Sequence, residues 1–422
     1  MSDLKSFEFV ETIAAPSEQV FAAFSSSVAL QSWFSDFAEV AFNEQGRLYC
    51  WWNVGYYASG VFTKIVENEH LAFTWSGPDE PHGTLVEVLF IPQEDVPKAY
   101  APEVDLTVLK VTEVRIRHSG IGAGNEWAER ITAYKNGWET ALANLKSVME
   151  TGIDKRVYDR PMLGIMPGDL IDEDKAAEMG LTLPYGVVLS GTVAGMGAEA
   201  AGLQKDDIIV SLNQHDLKGY QDFTSALGQR KAGDEVEVIF YRDGQKQTVQ
   251  MALSHRQIPE TPESAVELGE SVAKIYMEVA DERDAFFEGV SESEASARPA
   301  PESWSAKETL VHLLYTERWL HLAISLAVSE QRTGGFANQL EMIAAMANAY
   351  TLEELLAELK RSEQVTVDSL KALPDDFVAD KRKFGGLAYG VGQGYAQHSR
   401  SHFDQIKAAI DAARTRKLKS GE

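Results

Sequence analysis

Over the first third of the chain apolar residues tend to recur at every second position. This period predicts strands over residues 6–15, 46–54, 57–66, 71–75, 84–91 and 106–118, joined by turn residues into an antiparallel meander. Pro16 and Ser17 interrupt it and open a short helix through Val20, Phe21 and Phe24. Over 126–150 the period changes, and Trp127, Ile131, Tyr134, Trp138, Leu142 and Leu145 fall on one helical face, which predicts a long helix packed on a curved sheet. A β-rich stretch returns over 160–255, with Asp243-Gly244 at a hairpin turn. Beyond Pro259 and Pro262 the pattern is helical. Val272, Ile275, Tyr276 and Val279 share one face of a first helix that ends near Phe286 and Phe287. Ser305 with Glu308, and Thr351 with Glu354, have the spacing of capping boxes that open a second and a third helix. A fourth runs from Tyr395 past Ile410. The fold class that follows is multi-domain α+β: a sheet gripped by a helix, a second β-rich domain, and an all-α four-helix bundle.

A chain of 422 residues is long enough for several domains of roughly 100–200 residues each. Its net charge of -25 is spread along its whole length, and the one basic cluster, Arg414, Arg416, Lys417 and Lys419, lies near the C-terminus. Without a basic platform, neither nucleic acid nor an anionic membrane is an expected partner. The single cysteine, Cys50, excludes an intrachain disulfide and fits a reducing compartment. No basic segment followed by an apolar run opens the chain, and no stretch reaches the ~18 apolar residues of a membrane span. A soluble, cytoplasmic protein is expected.

The candidate chemistry lies in the helical part. His398 and His402 stand four residues apart and share a helix face. His312 falls about two turns into the helix opened by Ser305, with apolar neighbours Leu310, Leu313 and Leu314 that turn it toward other helices. Three imidazoles on two helices make an open metal site, although a spacing of four also occurs between surface histidines that bind nothing. Glu308, one turn before His312, suits either the cap or an outer contact to such a site, and Tyr315 and Gln405 fall toward the same space by spacing alone. His321, nine residues on, falls on the opposite side of the helix.

The W-S-x-x-E-x-x-x-H run ending at His312 and the late H-x-x-x-H resemble the DinB family of four-helix bundles, over residues 262–415. The resemblance implies that His312, His398 and His402 bind a divalent metal, zinc or nickel foremost. Residues 1–152 resemble the START-like SRPBCC superfamily, in the branch named after the activator of heat-shock-protein ATPase. The matching residues are the ALQSWF run to Phe34, HSGIG from His118 and the EWAERITAYKNGWETALANLK helix. That likeness implies a helix-grip sheet with a cavity for an apolar small molecule, or a surface for protein contacts. Trp51, Tyr57, Phe73, Trp75, Trp127 and Trp138 are the candidates to line the cavity, and the same aromatics can equally fill it. The proline-rich segment 92–103 is expected to project as a loop.

Residues 160–255 resemble a PDZ domain of the bacterial, protease-associated type, a β-barrel-like fold, through Leu163-Gly164-Ile165, the AAGLQKDDII run, Asn213 and the Asp243-Gly244 hairpin. The likeness implies capture of protein or peptide C-termini by strand addition. In that arrangement Gly164 lets backbone amides approach the carboxylate, and Met162, Leu163 and Ile165 shape the first pocket. No Gly-x-Ser-x-Gly elbow accompanies it, so a protease is not expected. His215 and His255 read as turn and strand-end residues. The functional expectation is a cytoplasmic multi-domain binding or adaptor protein with a metal-holding bundle. The alternative is a metal-dependent thiol S-transferase or hydrolase whose reaction site is the bundle, its catalytic residues unassigned.

Overall fold

The computed structural model describes residues 4–93, 110–178, 183–228, 230–258, 260–332, 334–335 and 338–420. The loop expected over 92–103 falls outside them past Gln93, as does the start of the strand expected at 106. By contact the chain forms two compact units, residues 1–153 together with 260–422, and residues 154–259.

The N-terminal part of the first unit is an antiparallel sheet in the order β1-β7-β6-β5-β4-β3-β2. After β1 (Lys5–Ile13) come α1 (Ser17–Ala22) and α2 (Ser27–Gln31). The remaining strands are β2 (Phe37–Val40), β3 (Arg47–Trp52), β4 (Tyr56–Val66), β5 (His70–Trp75), β6 (Thr84–Gln93) and β7 (Val111–Ile121). Helix α3 (Ala128–Thr151) packs its Tyr134, Trp138, Leu142 and Leu145 stripe against them. The interior is aromatic: Phe21, Phe24, Trp33, Phe62, Phe73, Trp75 and Trp138 are all buried. Two buried donors there are met by backbone: Trp33 Nε1 donates to Ala23 O at 2.8 Å and Asn144 Nδ2 to Trp33 O at 2.6 Å. Helix α3 ends at Gly152, whose φ of 76° is the left-handed conformation that closes a helix most cheaply in glycine.

In the second unit, α4 (Lys155–Tyr158) precedes a sheet of β8 (Ile165–Ile171), β9 (Gly186–Thr192), β10 (Ile208–Leu212), β12 (Glu235–Arg242) and β13 (Gln245–Ala252). Its order is β13-β12-β10-β9-β8, with the short β11 (His215–Asp216) paired to β10. The helices are α5 (Glu173–Glu178), α6 (Gly197–Ala200) and α7 (Tyr220–Leu227). Leu163, Leu189, Ala198, Leu212, Val238 and Phe240 form its core.

The C-terminal part of the first unit is helical. It comprises α8 (Ala265–Ala285), α9 (Glu292–Ser296), α10 (Ala306–Val328), α11 (Leu340–Ala347), α12 (Leu352–Lys371), α13 (Asp375–Ala379), α14 (Lys381–Ser401) and α15 (Phe403–Ser420). The four long elements α8, α10, α12 and α14 bury one another's apolar stripes. Both expected capping boxes are present, Ser305 with Glu308 and Thr351 with Glu354. The fourth helix differs from expectation. It starts at Lys381, where Asp380 caps it, and a break at His402 separates α14 from α15. Its early start is allowed by close packing: a Cβ on Gly385 would stand 3.0 Å from Gly152 Cα, so the end of α3 and the first turns of α14 meet backbone to backbone.

Candidate metal centre

Helix α10 carries His312 inward because its face from Ala306 to Leu314 is buried among the other helices. Helix α14 carries His398 in its last turn, and His402 sits at the α14–α15 junction, still in right-handed helical conformation. The spacing of four therefore survives the break. The Nε2 atoms of His312 and His398 lie 3.1 Å apart, and those of His402 and His398 lie 3.3 Å apart. The ligand atoms of the three residues all fall within 4.8 Å of one another, and among the described residues no other three of the usual ligand types come so close.

The outer nitrogens explain why the inner ones face each other. His312 Nδ1 is 3.1 Å from Asn338 Oδ1, and His402 Nδ1 is 2.9 Å from Gln405 Oε1. A side-chain carbonyl only accepts, so each Nδ1 carries the proton and each Nε2 is left with its lone pair toward the centre. Burial lowers the pKa of His312, partly offset by Asn338. Burial, then the neighbouring His402 and His312, push His398 down to about 4. Three imidazole nitrogens converging on one point are a donor set for a cation. Bonds of about 2.0–2.1 Å from a tetrahedral ion place neighbouring nitrogens about 3.3 Å apart, close to the separations seen. Trp304 walls the site, its ring centroid 5.1 Å from that of His312 and 6.5 Å from that of His402.

Sequence reasoning missed Asn338, which lies in a polar loop with no motif, and Trp304 as a wall. Glu308 serves as the cap: its carboxylate accepts from Ser305 N at 2.8 Å and pairs with the Arg298 guanidinium. His321 Nε2 meets Ser362 O at 3.0 Å, away from the centre.

The six aromatics expected around a START-like cavity do not share one space. Strand parity sends Cys50 and Ala58 inward, buried, whereas Trp51 and Tyr57, cross-strand partners, lie on the opposite face, Tyr57 being 40% exposed. Phe73, Trp75, Trp127 and Trp138 are interior but packed: Trp75 and Trp138 ring centroids are 5.6 Å apart, and Trp127 stands beside His82. The space enclosed by Phe24, Leu30, Phe34, Leu48, Phe62, Phe73 and Trp138 is about 10 Å³, at the lower limit for a single water. Around these rings the sheet-helix interior is closely packed, while Trp51 and Tyr57 stand outside it. His118, which the sequence marked only as part of a motif, is buried in this interior. Its Nδ1 accepts from Trp138 Nε1 at 3.1 Å and its Nε2 meets Thr84 Oγ1 at 2.7 Å.

In the central unit, Gly164 has φ 77° and a Cβ there would stand 2.4 Å from Met196 Cβ, so only glycine fits. Leu163 is buried in the core and Ile165 packs against it. Met162 is taken up by its backbone pairing with Ser254, at 2.9 and 2.8 Å, so its main chain is not open to a peptide. Strand β8 is the end of its sheet path, and Tyr220 Oη donates to Gly168 O at 2.5 Å across the face between β8 and α7.

Three family profiles match the chain: activator of Hsp90 ATPase homolog 1-like protein over residues 14–150, the PDZ domain over 161–253, and the DinB superfamily over 277–406. Among curated proteins, the chain is similar to the "Probable periplasmic serine endoprotease DegP-like" of Marinomonas sp. (strain MWYL1), 32% identical over 97 residues, which are 23% of this chain and 20% of the relative. It is also similar to the "Serine protease Do-like HtrA" of Lactococcus lactis subsp. cremoris (strain MG1363), 33% identical over 117 residues, 27% of this chain and 28% of the relative. The chain thus spans under a third of the length of these relatives. Similar solved structures include the Aha1 dimer from Colwellia psychrerythraea, at 19% identity, 35% of this chain, 98% of that chain and a TM-score of 0.28. Another is an HSP90 activator from Plasmodium falciparum, at 26% identity, 34% of this chain, 96% of that chain and a TM-score of 0.26. No described helix is long and apolar enough to cross a membrane. The chain carries, in order, a START-like region of the Hsp90-ATPase-activator type, a PDZ domain and a DinB-superfamily helical region.

Proposed function

We propose that this is a multi-domain binding or adaptor protein whose helical bundle holds one divalent metal on His312, His398 and His402. Its PDZ and START-like regions engage partner chains. The observation that carries the reading is the set of three neutral imidazoles whose Nε2 atoms face one another while Asn338 and Gln405 hold two of the outer nitrogens. Without a metal, the His398 Nε2–H can donate to the other two Nε2 atoms; a divalent ion that displaces that proton to the unpartnered Nδ1 gains all three nitrogens. Zinc and nickel both suit imidazole nitrogen. Elemental analysis tests it: one equivalent of metal is expected in the full chain and a strongly reduced amount in His312→Ala, His398→Ala and His402→Ala. Equal metal in wild type and His402→Ala contradicts it.

For the PDZ region, the support is the terminal position of β8 beside Gly164. A peptide adding there gains backbone hydrogen bonds and displaces the Tyr220 hydroxyl from Gly168 O. Free-acid peptides ending in an apolar residue should bind better than amidated ones, and equal binding counts against carboxylate capture. For the START-like region, the close packing of Phe34, Trp75 and Trp138 favours protein contacts over a small apolar ligand. A cytoplasmic setting accords with the lone Cys50, whose thiol burial pushes up to about 12.

One observation favours a second reading, a thiol S-transferase or hydrolase. The protein offers three nitrogens to the centre, fewer than a divalent ion takes. A bound metal there supplies Lewis acidity, acidifying a water or keeping a thiol deprotonated. This chain's part is to present three neutral rings and to wall one side with Trp304. Turnover of an electrophile that needs metal, thiol and all three histidines decides for it.

A further inference from the structure

The histidine centre is tied to the START-like region by the connection between α10 and α11. At its start, Glu330 has φ 50°, a conformation costly for a residue with a Cβ. It is held by two cations from α14, Arg382 Nη2 at 2.6 Å and Lys383 Nζ at 3.1 Å. The Arg382 side chain is 2% exposed, and its Nη1 stands 3.5 Å from Ser32 Oγ of the START-like region. Next, Arg332 donates to the carbonyl of Ala38 on edge strand β2, and its guanidinium carbon lies 5.0 Å from the Phe37 ring centroid. Trp319 Nε1 of α10 donates to Gly334 O at 2.8 Å. Finally, Asn338 presents the carbonyl oxygen that accepts from His312 Nδ1.

Of the described residues of this connection, Arg332 is thus held by the START-like region, and Asn338 supplies the group that fixes the tautomer and ring orientation of a centre histidine. We propose that the START-like region sets the metal affinity of the histidine centre through this segment, with Asn338 and Arg332 as positioning residues. An imidazole that loses its outer acceptor samples both tautomers and turns about its side-chain bonds. It then offers Nε2 to the centre only part of the time, and affinity drops by that fraction. Arg332 acts through Asn338, so its removal has the smaller effect.

The proposal rests on the metal reading of the bundle, and the experiment keeps the two apart. Zinc alone is titrated calorimetrically into the metal-stripped full chain and its variants. Loss of an outer-shell partner in Asn338→Ala is expected to weaken binding about 10- to 100-fold. Arg332→Ala, exposed and outside the site, should weaken it about 3- to 10-fold, and Arg332→Lys, which keeps a donor for Ala38 O, should recover part of that loss. Arg318→Ala, on the helix of His312, removes an ion pair with Glu358 of α12, and should bind as wild type. Wild-type affinity in Arg332→Ala overturns the coupling. The second readout is the nitrogen NMR signature of His312 in the metal-free protein. A proton on Nδ1 in wild type, and a tautomer mixture in both Asn338→Ala and Arg332→Ala, supports the proposal. An unchanged tautomer in Arg332→Ala overturns it. If wild type takes up no zinc, the metal reading fails while the tautomer comparison still decides the coupling.

Discussion

His118 and His312 are both buried, one between sheet and α3 in the START-like region, the other between α10 and α14 in the bundle. His118 has a protein partner at each ring nitrogen, Trp138 and Thr84, and the rings of Trp75 and Tyr134 pack beside it. His312 has an outer partner in Asn338, but its inner nitrogen faces the nitrogen of another histidine. His398 goes further, for its Nδ1 has no hydrogen-bond partner among the described residues. Burial alone therefore does not mark a functional histidine. What separates the two regions is whether the protein satisfies each nitrogen or aims several lone pairs at one point.

The largest effect should come from removing the packed interior. Trp138→Ala deletes a ring stacked on Phe34 and the donor to His118, and should cost about 3–5 kcal/mol in urea unfolding followed by tryptophan fluorescence. Metal uptake should be unchanged, and a loss under 1 kcal/mol would mean that the interior is looser than its contacts indicate.

The next effect is pH dependence, with opposite signs in the two regions. Burial lowers the His118 pKa to about 4 from the ordinary 6.5. Below pH 6.5 the unfolded chain takes a proton that the folded one refuses, so this stability is full above 6.5 and is lost as pH falls toward 4. The loss is about 3 kcal/mol. Glu317 in the bundle, bonded to Tyr276 and Thr366, is raised to about 7, with burial the leading cause. Its contribution is full below pH 4.5 and is lost as pH rises to 7, again by about 3 kcal/mol. Unfolding of His118→Gln and Glu317→Gln against wild type at pH 4.5 and 7 isolates each. Slopes of the same sign would break the contrast.

The smallest stability effect should be that of His398→Ala in metal-free protein. A ring with one nitrogen unpartnered and the other facing like nitrogens contributes little, so the change should stay within about 1 kcal/mol by thermal denaturation. A cost near that of Trp138→Ala would place His398 with the packed residues instead.

The features most legible in the sequence are local. The capping boxes at Ser305 and Thr351 are set by a serine or threonine and the glutamate three residues on, and both form. The α3 stripe follows from its 3.6 period. What was illegible depends on partners distant in the chain. The sequence reading starts the fourth helix at Tyr395, after the GGLAYGVGQG stretch, in which each glycine costs a helix about 1 kcal/mol. The helix nevertheless begins at Lys381, and Gly385 is small enough to meet Gly152. Composition alone groups Trp51 and Tyr57 with the interior aromatics, whereas strand parity against Cys50 and Ala58 puts them on the other face. The convergence of His398 with His402 is a matter of spacing. That of His312 with them is a matter of helix packing, and Asn338 reaches His312 through a loop whose course no motif encodes.

X-ray absorption at the metal edge of the loaded full chain tests the central claim most directly. The account predicts three imidazole nitrogens at about 2.0–2.1 Å from the metal. It also predicts a spectrum that loses one imidazole in a His312→Ala sample loaded at high metal concentration. A first shell with fewer than three imidazoles in wild type, or an identical spectrum in His312→Ala, would contradict it.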